Sequence, residues 1–244
     1  MKNVQFLSNS ANIDKIIKGL SLTKSLSVSS LLIGEPHTGK FSLIQSLFPN
    51  SVYVDANNES ELYTALEANN ELIIYNFEKV MNTDHLNFEN KRIIAISNSL
   101  KEIQRLSKTF AFIYEMPTLE KREDLKILAQ SFQEEIKKDL MLELDVHLDI
   151  TKLDLSQNVK SLKASIYKEL ILKTFKKEDI QTLLYNYLFE ELEGNNAYRE
   201  HLGLYEEPLI KAGLKKYKSQ LKLAGVLGLN RNTLRKKIQE YDIN

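Results

Sequence analysis

Ser29-Ser30-Leu31-Leu32-Ile33-Gly34-Glu35-Pro36-His37-Thr38-Gly39-Lys40 is the stretch that decides the fold. Its first five residues read as a short buried strand that ends at Gly34. Beyond it, Phe41–Phe48 carries helical apolar spacing and stops at Pro49. Between strand and helix, Gly34–Lys40 fits G-x-x-x-x-G-K. The glycines of such a loop let backbone N–H groups curl around phosphate oxygens. The helix N-terminus adds positive potential, and the lysine supplies a full charge. Gly34, Glu35, Pro36, His37, Thr38, Gly39, Lys40 and the adjoining Phe41 are the candidate phosphate-binding residues.

Working outward, Val52–Val54, Glu71–Tyr75, Arg92–Ile96 and Phe110–Tyr114 are further β-rich runs, and Ser60–Ala68 reads as a helix. The runs lack polar alternation, which marks strands buried on both faces. Five such runs joined by helical connectors imply an α/β fold: a five-stranded parallel sheet of P-loop type covered by helices. After Pro117 the strand signals stop. Leu119–Lys138, Asn158–Phe175 and Glu178–Leu192 carry helical patterns, Gly194-Asn195-Asn196 is a break, and Asn196–Leu204 reads as a linker. The expected organisation is an α/β core (1–117), a helical lid (118–175), a helical connector and linker (176–204), and a small all-α module (205–244).

Composition excludes several classes. The 244 residues contain no Cys, so disulfides, thiolate catalysis and Cys-ligated metal are absent. The four His are scattered without ligand spacing, so no metal site is expected. No apolar run is long enough to cross a bilayer, and the N-terminus has no signal-peptide pattern; a cytoplasmic protein without a membrane partner is expected. The chain has 33 basic and 33 acidic residues. That balance hides an asymmetry: Glu206–Asn244 holds nine Lys/Arg against four acids, leaving 24 basic and 29 acidic residues elsewhere. A basic module on an acidic body fits an anionic partner at one end.

The phosphate loop lacks two companions. The residue after the lysine of such a loop is Ser or Thr, whose hydroxyl binds Mg²⁺; here it is Phe41. Ser42 is about 100° further round a helix and is expected to point elsewhere. The strand that should end in a metal-orienting acid reads Leu72-Ile73-Ile74-Tyr75-Asn76, with neutral Asn76 at the acidic position and Glu78 two residues off. Both changes weaken the same metal site, so no catalytic residue is assigned and hydrolysis is expected to be weak or absent. Binding of ATP or ADP through Lys40 and the loop stays open, with Mg²⁺ doubtful.

The tail carries the sharpest signal. Ser219–Asn230 followed by Arg231–Tyr241 has helix-turn-helix spacing. Small Ala224 permits close helix approach, Gly228 permits the turn, and Leu223, Leu227, Leu229, Leu234 and Ile238 fall where an interhelix core is required. Asn230 suits the N-cap of a second helix presenting Arg231, Asn232, Thr233, Arg235, Lys236 and Lys237 to base edges and phosphates of double-stranded DNA.

Four segments in order resemble the AAA+ ATPase domain of the NtrC-like bacterial enhancer-binding proteins. LLIGEPHTGK (31–40) is similar to that family's Walker A strand and loop, and KRIIAISNSL (91–100) to its sensor I segment, placing Asn98 at the sensor Asn. Phe110–Phe132 resembles its strand, Pro-containing link and first lid helix; Asn158–Leu172 resembles its sensor II helix, with Lys160 where the family carries Arg. The resemblance implies that Asn98 and Lys160 join the nucleotide site. The chain departs from the family in the short intervals from Lys40 to Asn76 and from Asn76 to Asn98. It also lacks the GAFTGA loop and a clear arginine-finger match around Gln104–Lys108, where Arg105 is the only Arg nearby. Direct sigma-factor remodelling is therefore not expected. No receiver domain precedes the core, so phosphorylation control of the usual kind is not expected either.

Glu206–Ile243 resembles the Fis-type DNA-binding domain, nearly residue for residue through LGLNRNTLRKKI (227–238). That resemblance implies DNA contacts from Asn230, Arg231, Thr233, Arg235 and Lys236, a first helix at Pro208–Tyr217, and a homodimer or higher homo-oligomer. The helical stretch Glu178–Leu192 packs either on a partner or on the chain's own lid. The expected protein is a DNA-binding transcriptional regulator or nucleoid-associated protein with a degenerate AAA+ domain. The rival expectation is an active ATPase that remodels a transcription or replication-initiation partner.

Overall fold

The computed structural model describes residues 6–80, 83, 86–98, 109–143 and 146–243. The chain divides into two compact units, Met1–Thr174 and Phe175–Asn244.

The first unit is built on a five-stranded sheet of β1 (Ser30–Ile33), β2 (Tyr53–Asp55), β3 (Glu71–Tyr75), β4 (Arg92–Ser97) and β5 (Phe112–Glu115). The spatial order is β2-β3-β4-β1-β5, and every recorded pairing is parallel. Alternate residues of each strand enter opposite cores, as the pleat requires. Leu31, Ile33, Leu72, Ile74, Ile93 and Ala95 pack with Leu62 and Leu66 of α3 (Glu59–Ala68). Leu32, Ile73, Ile94 and Ile96 pack on the other face with α1 (Ala11–Leu22) and α2 (Lys40–Leu47). The absence of polar alternation in the strand runs thus has its cause in two covered faces. Helix α1 has no counterpart among the expected elements, although Ile13, Ile16 and Leu20 form a helical stripe and are all buried.

After β5 the expected helix Leu119–Lys138 is divided. A single 3₁₀ turn spans Leu119–Lys121, Arg122 is extended, and α4 runs Leu125–Asp139. The break has a tertiary cause: Asn158 accepts from the Leu119 N–H at 2.9 Å, and Arg122 turns inward to pair with Asp124. Helix α4 packs on α5 (Val159–Thr174) around Leu128, Ile136, Leu162 and Ile166.

The second unit contains α6 (Lys177–Glu191), α7 (Ala197–Tyr217), α8 (Gln220–Leu227) and α9 (Arg231–Glu240). The expected linker Asn196–Leu204 is corrected here: from Ala197 it is the first part of α7, and Pro208 lies inside the helix rather than at its start. Gly203, inside this segment, is a packing residue; a Cβ there would lie 3.2 Å from the Tyr241 ring. Gly213 likewise lies against Leu223, where a Cβ would approach to 2.3 Å. Helix α6 has no buried residue, and its Ile180, Leu183, Leu184 and Tyr187 are all exposed.

Candidate functional site

The loop after β1 turns in a manner only its sequence allows. Gly34 passes so close to β5 that a Cβ would sit 2.7 Å from the Met116 carbonyl oxygen, and Gly39 has φ 94° where α2 begins. Lys40 is buried, and its Nζ donates to Gly34 O at 2.8 Å and Glu35 O at 2.6 Å. Burial pulls its pKa down to about 8, against the opposing fields of Glu78 and Glu35.

The remaining loop carbonyls are held by the lid. Asn158 Nδ2 donates to Pro36 O at 3.1 Å and to Glu35 Oε2 at 3.1 Å. The Val159 N–H donates to His37 O at 3.0 Å, and Arg122 Nη1 to Thr38 O at 2.9 Å. Every carbonyl from Gly34 to Thr38 therefore accepts a hydrogen bond. Arg122 is itself held by Asp124, with Nε–Oδ1 2.9 Å and Nη2–Oδ2 2.6 Å, and both side chains are buried. Burial pushes the Asp124 carboxyl up, but the Arg122 hydrogen bonds and those of its other neighbours outweigh this and hold it below the usual carboxylate range.

A cavity of about 910 Å³ opens between the loop and the lid. Of the residues expected at a nucleotide site, His37, Thr38, Gly39, Lys40, Phe41, Asn98 and Lys160 line it. Gly34 and Glu35 face a smaller cleft beside Met116 and Pro117 instead, and Pro36 lines neither. Ser42, expected to point elsewhere, does line the large cavity. The sequence reading lacked Phe6, Leu7, Phe132, Arg122 and Lys163, which also line it. Lys163 lies over the Phe132 ring at 4.4 Å and bonds Glu135 at 2.9 Å. The only local signal for these residues is the basic spacing Lys160/Lys163 on one helix face. The Gln104–Lys108 segment with Arg105 lies outside the described residues.

Beside Lys40 the cavity wall is aromatic, formed by Phe41 and Tyr75. The Phe41 ring stands 5.5 Å from Tyr75, edge on, and 5.6 Å from Tyr53. Asn76 adopts φ 56° and donates from Nδ2 to Asp55 Oδ1 at 2.9 Å. Glu78 accepts from the Asn98 backbone N–H and from its Nδ2, each at 2.9 Å. Burial raises the Glu78 pKa, yet these bonds prevail and keep it below the normal carboxylate range.

In the second unit α8 and α9 form a helix-turn-helix. Ser219 caps α8 by accepting from the Lys222 N–H. Gly228 ends α8 at φ 64°, and Leu229 N–H donates to Ala224 O at 2.9 Å, closing the turn. The Asn230 side chain caps α9 through the Asn232 N–H at 2.9 Å. Leu223, Ala224, Leu234 and Ile238 are buried between the helices, with Leu227 and Leu229 only partly covered. Asn230, Arg231, Asn232, Thr233, Arg235 and Lys236 are all exposed. Lys237 faces the other way: its Nζ donates to both Glu206 oxygens at 2.7 and 2.6 Å, and Tyr241 Oη donates to Glu206 Oε2 at 2.7 Å. The bonds from Lys237 and Tyr241 hold the Glu206 carboxyl below its usual range, and the same contact pushes Tyr241 up to about 12.

Comparison with known proteins matches these features. Residues 202–241 fit the family described as bacterial regulatory protein, Fis family. A Pseudomonas aeruginosa protein described as Fis-like and DNA-binding is 38% identical over 71 residues, which cover 28% of this chain and 67% of that protein. NtrX from Brucella abortus, solved in complex with ATP, superposes with a TM-score of 0.52 at 13% identity over 98% of this chain and 69% of its own. Its ADP complex gives 0.53. At that identity the likeness concerns the fold. Through its C-terminal module the chain belongs to the Fis family of bacterial regulatory proteins, joined here to a five-stranded body with the AAA+ fold.

Proposed function

We propose that this protein is a DNA-binding transcriptional regulator, or nucleoid organiser, whose AAA+ body holds a nucleotide without hydrolysing it. One observation carries the DNA half. Arg231, Asn232, Thr233, Arg235 and Lys236 project from the capped N-terminal part of α9 and are exposed, while Lys237 is turned back onto Glu206. That is the arrangement in which a helix enters the major groove, its first residues meeting base edges and its basic groups meeting phosphates. The Fis-family match supports the same reading.

The uncovered apolar face of α6 supports pairing of two chains, which would present two α9 helices to successive major grooves about 34 Å apart. In this assignment residues 1–117 are the core, 118–175 the lid, and the helices that follow form the DNA-reading and pairing unit.

For the nucleotide half, Thr38, Gly39, Lys40 and the start of α2 suit phosphate, and Lys160 adds charge on the lid side. The complexes of NtrX with ATP and ADP support it. Mg²⁺ fits poorly. Phe41 stands where a hydroxyl is needed, the Asn76 amide is bonded to Asp55, and the Glu78 oxygens are engaged by Asn98. A sigma-factor remodelling step is not part of this reading.

The test is titration of the full chain onto duplex DNA over a salt series. Affinity should fall steeply with salt, since phosphate neutralisation dominates. Arg231→Ala with Arg235→Ala should weaken binding at least about thirtyfold. Unchanged affinity in that double variant would reject the assignment of α9.

A further inference from the structure

Three features of the cavity bear on how many phosphates its ligand carries. First, the Phe41 ring follows Lys40 in the chain, is 41% exposed and lines the cavity with Tyr75 edge-on to it, so the lining beside Lys40 is apolar on this side. A polyphosphate chain running past Lys40 meets carbon there, where its charge loses water without gaining a donor. Second, Asn98 lines the cavity but has both its backbone N–H and its side-chain amide engaged by Glu78. Third, Glu78 sits behind the cavity lining, bonded to Asn98, and is an anion within Coulomb reach of the Lys40 ammonium, so its field opposes negative charge added on the Asn98 side.

The cationic groups lining the cavity are Lys40, Lys160, Lys163 and Arg122. Two of them are already matched, Arg122 by Asp124 and Lys163 by Glu135. Lys40 and Lys160 carry no ion pair among the described residues, and two such cations leave less charge uncompensated on a metal-free diphosphate than on a triphosphate.

We infer that the cavity is built for a nucleoside diphosphate taken up without a divalent cation, and that Glu78 with Phe41 is the pair that rejects the third phosphate. This rests on the nucleotide reading of the cavity and names its ligand class. It makes the body a reader of the diphosphate pool, and the triphosphate a weak competitor.

Calorimetric titration of the full chain with ADP and with ATP, each in excess EDTA and in excess Mg²⁺, tests it. ADP should bind at least about tenfold more tightly than ATP in EDTA, a gap of about 1.4 kcal/mol, and Mg²⁺ should not strengthen ADP binding. Glu78→Gln keeps the side-chain shape and one of the two acceptor oxygens but removes the charge, and should narrow the gap by raising ATP affinity; thermal melting checks that this variant folds. If it does not, Phe41→Ser serves instead and should narrow the gap by opening the wall. ATP binding equal to or tighter than ADP, ATP binding rescued by Mg²⁺ through Ser42, or a gap that persists in a folded variant would each overturn the inference while leaving a nucleotide site in place. Absence of binding by either nucleotide, with DNA binding intact, would overturn the nucleotide reading as well.

Discussion

The cavity of the first unit and the recognition helix of the second use the same residue types in opposite ways. Around the phosphate loop, polar groups are turned inward onto one another: Lys40 onto loop carbonyls, Arg122 onto Asp124 and Thr38, Asn158 onto Glu35 and Pro36, Asn98 onto Glu78. On α9, Arg231, Arg235 and Lys236 are exposed and carry no ion pair among the described residues. The first arrangement is preorganised and tolerates few changes. The second contributes little to stability and keeps its donors free for a partner. Charge that is buried and bonded shapes a site, whereas charge that is exposed and unbonded is available to recognise.

Substitutions sharpen this contrast. The largest effect on stability is expected from Arg122→Ala, which leaves Asp124 buried without its partner and removes a bond to the phosphate loop. Breaking such a pair costs about 3 kcal/mol or more. Denaturant unfolding should show the loss in the first unit, with duplex binding by the second unchanged. Equal loss of DNA binding would mean that the fold of the second unit depends on that of the first.

A smaller effect concerns pH. With Lys40 at about 8 in the free protein, an anionic ligand that favours its charged form should raise that value on binding. Below about pH 8 the lysine is already charged and affinity should be flat. Above it, each pH unit should cost up to about tenfold in affinity, as binding then takes up a proton. Calorimetry in buffers of different ionisation heat reads that proton directly, and flat affinity to pH 9.5 or so would remove Lys40 from the site. Smallest is Asn230→Ala, which deletes the cap of α9 and should lower stability of the second unit by about 1 kcal/mol, read as a shift in its melting midpoint.

The same division explains what the sequence made legible. The sheet was readable because both its faces are covered, leaving uninterrupted β-rich runs such as Leu72–Tyr75. The loop and the helix-turn-helix were readable because Gly34, Gly39, Gly228 and Asn230 occupy positions where backbone geometry restricts the choice of residue. The lid contacts were not, because their partners lie far apart: Arg122 reaches 84 residues back to Thr38, and Asn158 reaches 123 back to Glu35. Read locally, Lys121–Asp124 is only a charged start to a helix. The linker expected at Asn196–Leu204 failed for the converse reason. Gly203 and Pro208 resemble breakers in any window, yet one makes room for the Tyr241 ring and the other is carried inside a 21-residue helix.

That helix, Ala197–Tyr217, has a mechanical consequence. At 1.5 Å per residue it is a strut about 31 Å long, joined to the recognition helix by the Glu206–Lys237 pair and to α8 by the Gly213–Leu223 contact. A strut transmits torque where a tether would absorb it, so the reading head of this unit has no swivel of its own. If two chains pair through this unit as proposed above, binding to a duplex with its two sites moved half a helical turn apart should be weaker than to the original spacing.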